Sequence, residues 1–202
     1  MKITHVILVM TLIFLSTSCS AGMTGKVVDA ETGKPIEGAV VHVEWTKTKG
    51  IPGLTYGETY KIAEAVTDKD GKFSISEILR PPINPPTVVV YKRGYVAWRN
   101  DFIFPDYRRR EDFKWTNNIV VKLEHFKKYS HSQHISFIRT SLSLTTSSKL
   151  DQAFSPEIIF AEKERDLYSK SLDELKQGKK TERQIWQEII DALYSHQGEK
   201  NE

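Results

Sequence analysis

Apolar and polar residues alternate in short runs through the first two thirds of the chain. Within residues 39–46 the apolar side chains Ala39, Val41, Val43 and Trp45 recur at every second position, the period of a strand with one buried face. Six similar runs, rich in β-branched and aromatic residues, occupy positions 23–29, 60–67, 72–76, 87–92, 96–104 and 119–123. About seven strands without helical spacing between them favour an antiparallel β-sandwich over residues 23–123.

Glycine and proline mark the connections between these runs. Gly33 predicts a turn after the first strand, and Gly71 closes a predicted hairpin turn at residues 68–71. Residues 46–58 contain three glycines and one proline, so we expect a loop there. Residues 80–86 contain four prolines, which lack backbone donors, and predict an extended connection rather than a central strand.

The pattern changes after the last predicted strand. Residues 124–155 are rich in Ser, Thr and His and are expected to form a poorly ordered linker or a loosely docked arm. Residues 156–198 carry two apolar stripes at helical spacing, which predict a helical hairpin. Its first helix is expected to begin at Ser155 and its second at a capping box in residues 181–184. The stripe around Trp186 is too apolar to stay exposed, and we expect it to pack within the hairpin or onto the sandwich. A partner-binding helix face is the alternative.

The first twenty residues resemble a secretory signal. Lys2 gives a positive start, and residues 6–15 form an apolar run half as long as a membrane-spanning helix. Cys19, the only cysteine, stands where a bacterial lipoprotein signal places its lipidated residue. We therefore expect residues 1–18 to be a lipoprotein signal peptide and Cys19 to carry a lipid such as palmitate. Ordinary cleavage after Ala21, with loss of Cys19, is the first alternative, and an uncleaved anchor is the second.

Composition and charge narrow the class of protein. The 202 residues are 39% hydrophobic and 27% charged, which supports a packed globule. A mean hydropathy of −0.41 excludes a polytopic membrane protein. The net charge of +3 is too small to indicate nucleic-acid binding. A single cysteine excludes an internal disulfide framework and a multi-cysteine metal site.

Three motifs in order resemble the carboxypeptidase regulatory-like domain. They are GKVVD at 25–29 with TGKPIEGA at 32–39, TDKDGKF at 67–73, and KRGY at 92–95. The resemblance covers residues 23–123, about half of the chain. It implies a transthyretin-like, seven-stranded antiparallel sandwich with Greek-key connections.

The resemblance also bears on activity. Members of this family follow the catalytic domain of some zinc carboxypeptidases, precede outer-membrane receptors and decorate surface proteins, and the domain has no catalytic residues to carry over. The chain departs from the family in residues 46–58 and 80–86, so a binding surface there would be particular to this protein.

Several residues were weighed as metal ligands. Residues 68–71 resemble the start of a calcium loop, but the oxygen ligand, Gly and Glu required further on are Lys72, Phe73 and Leu79, so a plain turn is expected. His125, His131 and His134 lie close in sequence, yet no cysteine or carboxylate pair completes a site, and solvated histidines are expected. His42 is expected at the surface or at a sheet edge. We therefore predict no metal and no cofactor.

A basic and aromatic cluster is the candidate interaction surface. It consists of Tyr107, Arg108, Arg109, Arg110 and Trp115. Cations interleaved with aromatic rings can bind anionic glycans, lipid headgroups or acidic proteins. Export argues against nucleic acid as the partner. The alternative is a solvated loop whose arginine stems cover the sandwich edge.

These observations favour a non-enzymatic cell-envelope lipoprotein, anchored to a membrane by its lipid and facing the periplasm or the cell surface. Its sandwich would be a structural or protein-interaction module with an envelope protein or glycan as partner. An accessory carbohydrate-binding module is the alternative, with exposed Trp45, Trp98 or Trp115 stacking on sugar rings. A soluble periplasmic or secreted protein is the alternative location. A hydrolase is a further alternative, although no common hydrolase motif is present.

Overall fold

The computed structural model describes residues 22–76, 83–127 and 129–194. The predicted signal peptide and Cys19 lie outside these residues, as do positions 80–82 of the proline-rich connection. Within the described residues, no helix combines the length and the apolar character needed to cross a membrane.

Nine strands in this part of the chain form two larger sheets and a small ribbon. The first sheet, in the order β4-β1-β9, contains β1 (Gly22–Asp29), β4 (Lys72–Ser76) and β9 (Ile119–Leu123). The second, in the order β3-β2-β5-β6, contains β2 (Val40–Ile51), β3 (Leu54–Val66), β5 (Thr87–Tyr91) and β6 (Trp98–Arg99). The ribbon pairs β7 (Phe102–Ile103) with β8 (Arg108–Arg109).

The mainly β fold agrees with the prediction, but purely antiparallel pairing does not. β1 and β9 run parallel, with Gly25 opposite Ile119, whereas the second sheet is antiparallel throughout. The predicted strand at 96–104 is broken into β6 and β7. Relative strand direction depends on the path of the connections, and the alternation of side chains carries no record of it.

The first hydrophobic core lies between the two larger sheets. Met23 and Val27 of β1 meet Val41, Val43 and Trp45 of β2, and all five are buried. The inward face of β2 is therefore the one that the alternation predicted. Removal of these branched and aromatic side chains from water supplies the main driving force for joining the sheets.

Three helices follow the sandwich: α1 (His131–Arg139), α2 (Lys149–Lys176) and α3 (Glu182–Tyr194). The first two cover the outer face of the second sheet, where Val89 and Tyr91 form a second core with Phe137, Leu150 and Phe154. The prediction of a poorly ordered linker over residues 124–155 is therefore wrong. This segment supplies buried apolar side chains to that core from α1 and from the start of α2.

The predicted start of the long helix is also wrong. α2 begins seven residues before Pro156, and its N-cap is Ser148, whose side chain accepts a hydrogen bond from the Asp151 backbone. Pro156 lies inside the helix and has no N–H to donate to Gln152. The Ser155 hydroxyl lies 3.4 Å from that carbonyl and donates to it instead.

The last helix packs on the second half of α2. Ile185 and Ile189 are buried, and the Trp186 ring stacks on Tyr168 with 5.0 Å between ring centroids. The predicted capping box is confirmed, because Thr181 and Gln184 exchange backbone-to-side-chain hydrogen bonds of 2.8 and 3.3 Å. Docking of the Trp186 stripe thus takes place within the hairpin.

The predicted loop at 46–58 is instead a long two-stranded extension. β2 and β3 remain paired until Ile51 faces Leu54 across a turn at Pro52 and Gly53. We call residues 46–60 the hairpin arm. The prediction of a loop rested on the glycines. Gly50 and Gly53 adopt positive φ near the turn, but the Thr and Tyr residues on either side of them support strands.

The turn at 68–71 is confirmed, but the hairpin is not. The Asp68 carboxylate accepts hydrogen bonds from the backbones of Asp70 and Lys72, and Gly71 adopts φ +74°. The flanking strands β3 and β4 belong to different sheets. The turn therefore carries the chain from one sheet to the other.

Candidate functional site

The predicted interaction surface is divided between solvent and protein. Arg108 and Arg109 are exposed in β8. Tyr107 adopts φ +56° and packs its ring against Phe137 of α1, with 5.4 Å between ring centroids. Arg108 and Arg109 are therefore open to solvent, whereas Tyr107, although 38% exposed, also contacts the helix.

The other half of the cluster contacts the sandwich. The Arg110 Nε donates to the Arg99 carbonyl at 2.7 Å, and its guanidinium lies 4.9 Å from the centre of the Trp98 ring. Trp115 packs edge-on against the buried Trp45 at 6.0 Å. The three tryptophans proposed as a sugar-stacking row are therefore buried or half-buried in and around the first core.

A carboxylate–histidine cluster lies between the second sheet and the helices. Glu157 of α2 accepts hydrogen bonds from the Nδ1 atoms of His131 and His134 at 3.0 and 2.7 Å, and from the Tyr91 hydroxyl at 2.9 Å. The Nε2 atom of His134 accepts a hydrogen bond from the Ala97 backbone. His134 therefore donates from Nδ1 to the carboxylate and accepts at Nε2 from the backbone.

The electrostatics of this cluster favour an ionised carboxylate. Burial raises the pKa of Glu157, but hydrogen bonds from His131, His134 and Tyr91 outweigh it and lower the pKa to about 2. Burial and the neighbouring Glu157 charge raise the pKa of Tyr91, which stays a neutral donor. The prediction of solvated histidines is wrong for His131 and His134, because α1 turns both rings inward onto the sheet.

A second carboxylate–histidine pair joins the sheet to the start of α2. His42 is fully buried, and its Nδ1 lies 2.8 Å from Glu64 of β3. Glu64 also accepts hydrogen bonds from the first-turn backbones of Lys149 and Leu150, so a negative charge meets the positive end of the helix. Burial raises the pKa of Glu64, and these hydrogen bonds together lower it. His42 was expected at the surface; α2 covers that face of β2.

Glu44 forms a third polar contact between the sandwich and the chain that follows it. Its carboxylate accepts hydrogen bonds from the Thr59 hydroxyl at 2.6 Å and the Ser143 backbone at 2.9 Å. Burial raises the pKa of Glu44, but the nearby His42, whose Nε2 lies 4.0 Å away, and the hydrogen bonds from Thr59 and Ser143 lower it to about 2. The carboxylate thus ties the base of the hairpin arm to the segment between α1 and α2.

Charged side chains complete both ends of α1. Glu164 of α2 accepts hydrogen bonds from the backbones of His131 and Ser132 at its N-terminus. At the other end the fully buried Arg99 donates to the carbonyls of Phe137 and Ile138 and forms a two-pronged pair with Asp101. Both contacts oppose the dipole of α1 with the favourable charge.

Carboxylates and imidazoles of this kind can serve in catalysis or metal binding, but here they form hydrogen bonds that join elements of the fold. The Glu157 and Glu64 carboxylates each accept three hydrogen bonds from other elements. In residues 22–76, 83–127 and 129–194, no group of three or more His, Cys, Asp or Glu side chains is arranged to hold a metal ion. A shallow cavity nearby, of about 330 Å³, is lined by Arg139, Leu142, Leu144, Thr146 and Asp151.

A half-exposed acid–histidine pair lies at the end of the first sheet. The Nε2 atom of His125 lies 2.8 Å from the Asp29 carboxylate, which also accepts a hydrogen bond from Tyr95. The backbone of Thr32 is the main cause that lowers the pKa of Asp29 to about 2. The rings of Tyr95 and His125 stack at 4.6 Å. This group holds the turn after β1 against the chain that leaves β9.

A model of one protein family matches part of the described chain. Residues 22–111 match the family model of the carboxypeptidase regulatory-like domain. No curated protein matches the chain. Among solved structures, a 9R-lipoxygenase from Cyanothece PCC8801 is similar at 13% identity and a TM-score of 0.29. The match covers 70% of this chain and 23% of the lipoxygenase, and at that TM-score it carries no argument.

The carboxylates of this interface are not among the residues predicted from the sequence to be functional. Glu157 and Glu164 lie seven residues apart on α2, on the face that packs against α1, and Glu164 interrupts an apolar stripe. His131 and His134 lie three residues apart, as residues on one helical face do. The sequence does contain a signal for this interface. One helix carries charged residues on its apolar face, and another carries histidines at helical spacing.

Proposed function

We propose that the chain is a non-enzymatic, lipid-anchored protein of the cell envelope. In this proposal the sandwich is a structural or protein-interaction module, and Cys19 carries the lipid. The matched domain class has no catalytic residues of its own, which supports a binding or scaffolding role. The first twenty residues, with their apolar run and lone cysteine, support export and anchoring.

One structural observation favours this role over an enzymatic one. The acidic and histidine side chains best suited to acid–base chemistry join the helices to the sandwich instead of facing a cleft. Charged groups buried in this way are satisfied within the chain and hold its layers in one arrangement. A rigid sandwich of this kind can present Arg108, Arg109 and the hairpin arm to a partner.

The glycan-binding alternative receives less support. Trp45 is buried, and Trp98 and Trp115 pack against the first core, so they do not offer an open platform for sugar rings.

The anchoring part of the proposal is tested by the mass and location of the mature protein. We expect intact-mass analysis to find a chain that begins at Cys19 and carries added lipid, and we expect it in the membrane fraction. Cys19→Ala should move the protein to the soluble fraction, whereas the neighbouring Ser20→Ala should leave it membrane-bound. A mature mass that begins at Gly22 without acyl groups would contradict the proposal.

A further inference from the structure

The hairpin arm exposes large apolar side chains at its tip. Ile51 and Leu54 are 64% and 74% exposed, and Tyr56 and Tyr60 are 63% and 39% exposed. The tips of hairpins in water are usually built from small or polar turn residues. Clustered apolar side chains at a protruding tip are typical of a surface that meets a partner.

The strand register places Ile51, Leu54 and Tyr56 on one face of the arm. Ile51 faces Leu54, Lys49 faces Tyr56, and Lys47 faces Glu58, and residues directly opposite each other share a face. The intervening positions belong to the other face and carry only threonines and glycines: Thr46, Thr48, Gly50, Thr55, Gly57 and Thr59. The arm is therefore amphipathic across its two faces.

The order of side chains along this face matches the depth profile of a lipid surface. Ile51 and Leu54 occupy the tip, and Tyr56 and Lys49 form the next pair. Tyrosine favours the headgroup level, and lysine extends its ammonium group toward phosphates while its methylene stem lies against apolar surface.

The charge of the arm also suits an anionic surface. Lys47, Lys49 and Lys61 stand on or beside it against the single acid Glu58, for a net charge of +2 over residues 46–61. Lys49 lies 3.5 Å from Glu58, and Lys47 lies over the Tyr60 ring at 3.7 Å, so both cations are held at the base of the apolar tip.

The arm projects from the end of the sandwich at which the described chain begins. Lys72 at the start of β4 follows closely after β3, and Ser76 at its far end pairs with Gly22. β3 runs from the arm toward that turn, so its first residue Leu54 and Gly22 lie at the same end. Thr48, whose hydroxyl donates a hydrogen bond to the Asn84 side chain, is the outermost arm residue with this contact. Ile51 lies three residues further along β2, which places the tip about 10 Å beyond that contact.

We propose that the hairpin arm docks on a lipid bilayer containing anionic lipids, with Ile51 and Leu54 inserted at headgroup depth. The membrane is the one that holds the lipid of Cys19, three residues before Gly22, and in this respect the inference rests on the proposed anchor. Beyond Thr46, β2 and β3 pair only with each other among the described strands. This limits insertion to the interface, since unpaired backbone groups are excluded from the hydrocarbon interior.

The test uses the full mature chain with Cys19→Ala, which has no lipid, so that the arm is measured apart from the anchor. Flotation with vesicles of equal parts phosphatidylcholine and phosphatidylglycerol should carry the protein upward. Vesicles of phosphatidylcholine alone should bind it less. Ile51→Asp combined with Leu54→Asp should lower partitioning into the mixed vesicles at least tenfold.

The matched control places the same two changes elsewhere on the surface. Val120 and Ile159 are 59% and 56% exposed, so Val120→Asp combined with Ile159→Asp should leave partitioning unchanged. Equal binding by the arm variant and the parent chain, or no binding of the parent chain to mixed vesicles, would overturn the inference. Neither result would affect the mass analysis that tests the anchor.

A fluorescent label reports insertion directly. In the Cys19→Ala background, Leu54→Cys provides the only thiol for an environment-sensitive dye, and Val120→Cys provides the matched control. Emission should shift to the blue on addition of mixed vesicles for the label at 54 and stay constant for the label at 120. The proposal would be overturned by a shift at both positions or by no shift at either. It would also be overturned if the label at 54 shifted without vesicles because two chains had paired.

Discussion

Glu157 shows how a single residue can join the helical layer to the sandwich. Its carboxylate is buried, which costs free energy, but the hydrogen bonds from Tyr91, His131 and His134 compensate for that cost. These donors come from β5 and α1, so one side chain of α2 connects three elements. Removal of its charge leaves two buried imidazoles without an ionised acceptor.

Replacement of Glu157 should therefore destabilise the whole molecule. We expect Glu157→Gln to lower the free energy of unfolding by about 2–3 kcal/mol, since hydrogen bonds to a charged group are lost in a buried site. Urea unfolding followed by tryptophan fluorescence measures this difference. Glu162→Gln, an exposed change on the same helix, is the control and should alter stability by less than about 0.5 kcal/mol.

The same residue predicts a dependence on acidity. The pKa of Glu157 falls from an ordinary 4.5 to about 2 in the folded chain, so the ionised form stabilises the fold fully above pH 4.5. As the pH falls from 4.5 toward 2, protonation of the unfolded chain removes this stabilisation. Glu44, whose pKa is also about 2, adds to the effect in the same direction.

Unfolding midpoints in urea between pH 5 and pH 2.5 should therefore fall for the native chain and fall less steeply for Glu157→Gln. Parallel curves for the two proteins would show that Glu157 does not cause the acid sensitivity.

At the scale of elements, α1 depends on charges supplied by its neighbours. The helix has only nine residues, too few to be stable alone in water. Glu164 completes its N-terminus and Arg99 its C-terminus, and the second core buries its apolar side. The helix therefore forms because other elements are already in place around it.

Loss of the Glu164 carboxylate should loosen the first turn of α1. We expect Glu164→Ala to cost about 1–2 kcal/mol, as the loss of a helix cap does. Hydrogen exchange should accelerate at the His131 and Ser132 amides, which donate hydrogen bonds to Glu164, while the amides of α3 keep their protection. Glu162→Ala is the matched control. Unchanged exchange at both amides would contradict the capping role.

At the scale of the molecule, the sandwich and the first two helices share the second core. Val40, Val89 and Tyr91 of the sheet are buried on the outer face of the sandwich, against α1 and α2. The family match ends at residue 111, but the fold does not. Glu44 accepts a hydrogen bond from the Ser143 backbone, and Glu64, the partner of His42, accepts hydrogen bonds from the backbones of Lys149 and Leu150.

We accordingly expect residues 22–194 to unfold as one cooperative unit. A chain that ends after residue 126 should have a lower thermal midpoint and should bind a hydrophobic dye, because it exposes the outer face of β2 and β5. Scanning calorimetry of both chains measures this. Two separate transitions in the full chain, with the lower one absent from the short chain, would show that the sandwich is independent.

Local features of the fold could be predicted from the sequence because short-range chemistry decides them. The strand at 119–123 has the predicted bounds, the turn closed by Gly71 forms, and the capping box at Thr181 is present. Each depends on residues a few positions apart. The family motifs in residues 25–95 likewise predicted the domain that the family model matches.

Tertiary structure alone decided which polar side chains are buried. An alternating pattern states that His42 and Glu44 share a face, but it does not state whether another layer covers that face. Glu157 meets Tyr91 across 66 positions and His134 across 23, distances at which sequence spacing carries no geometric information. The interface arose because amphipathic helices covered a sheet face that could be buried only if its charges were paired.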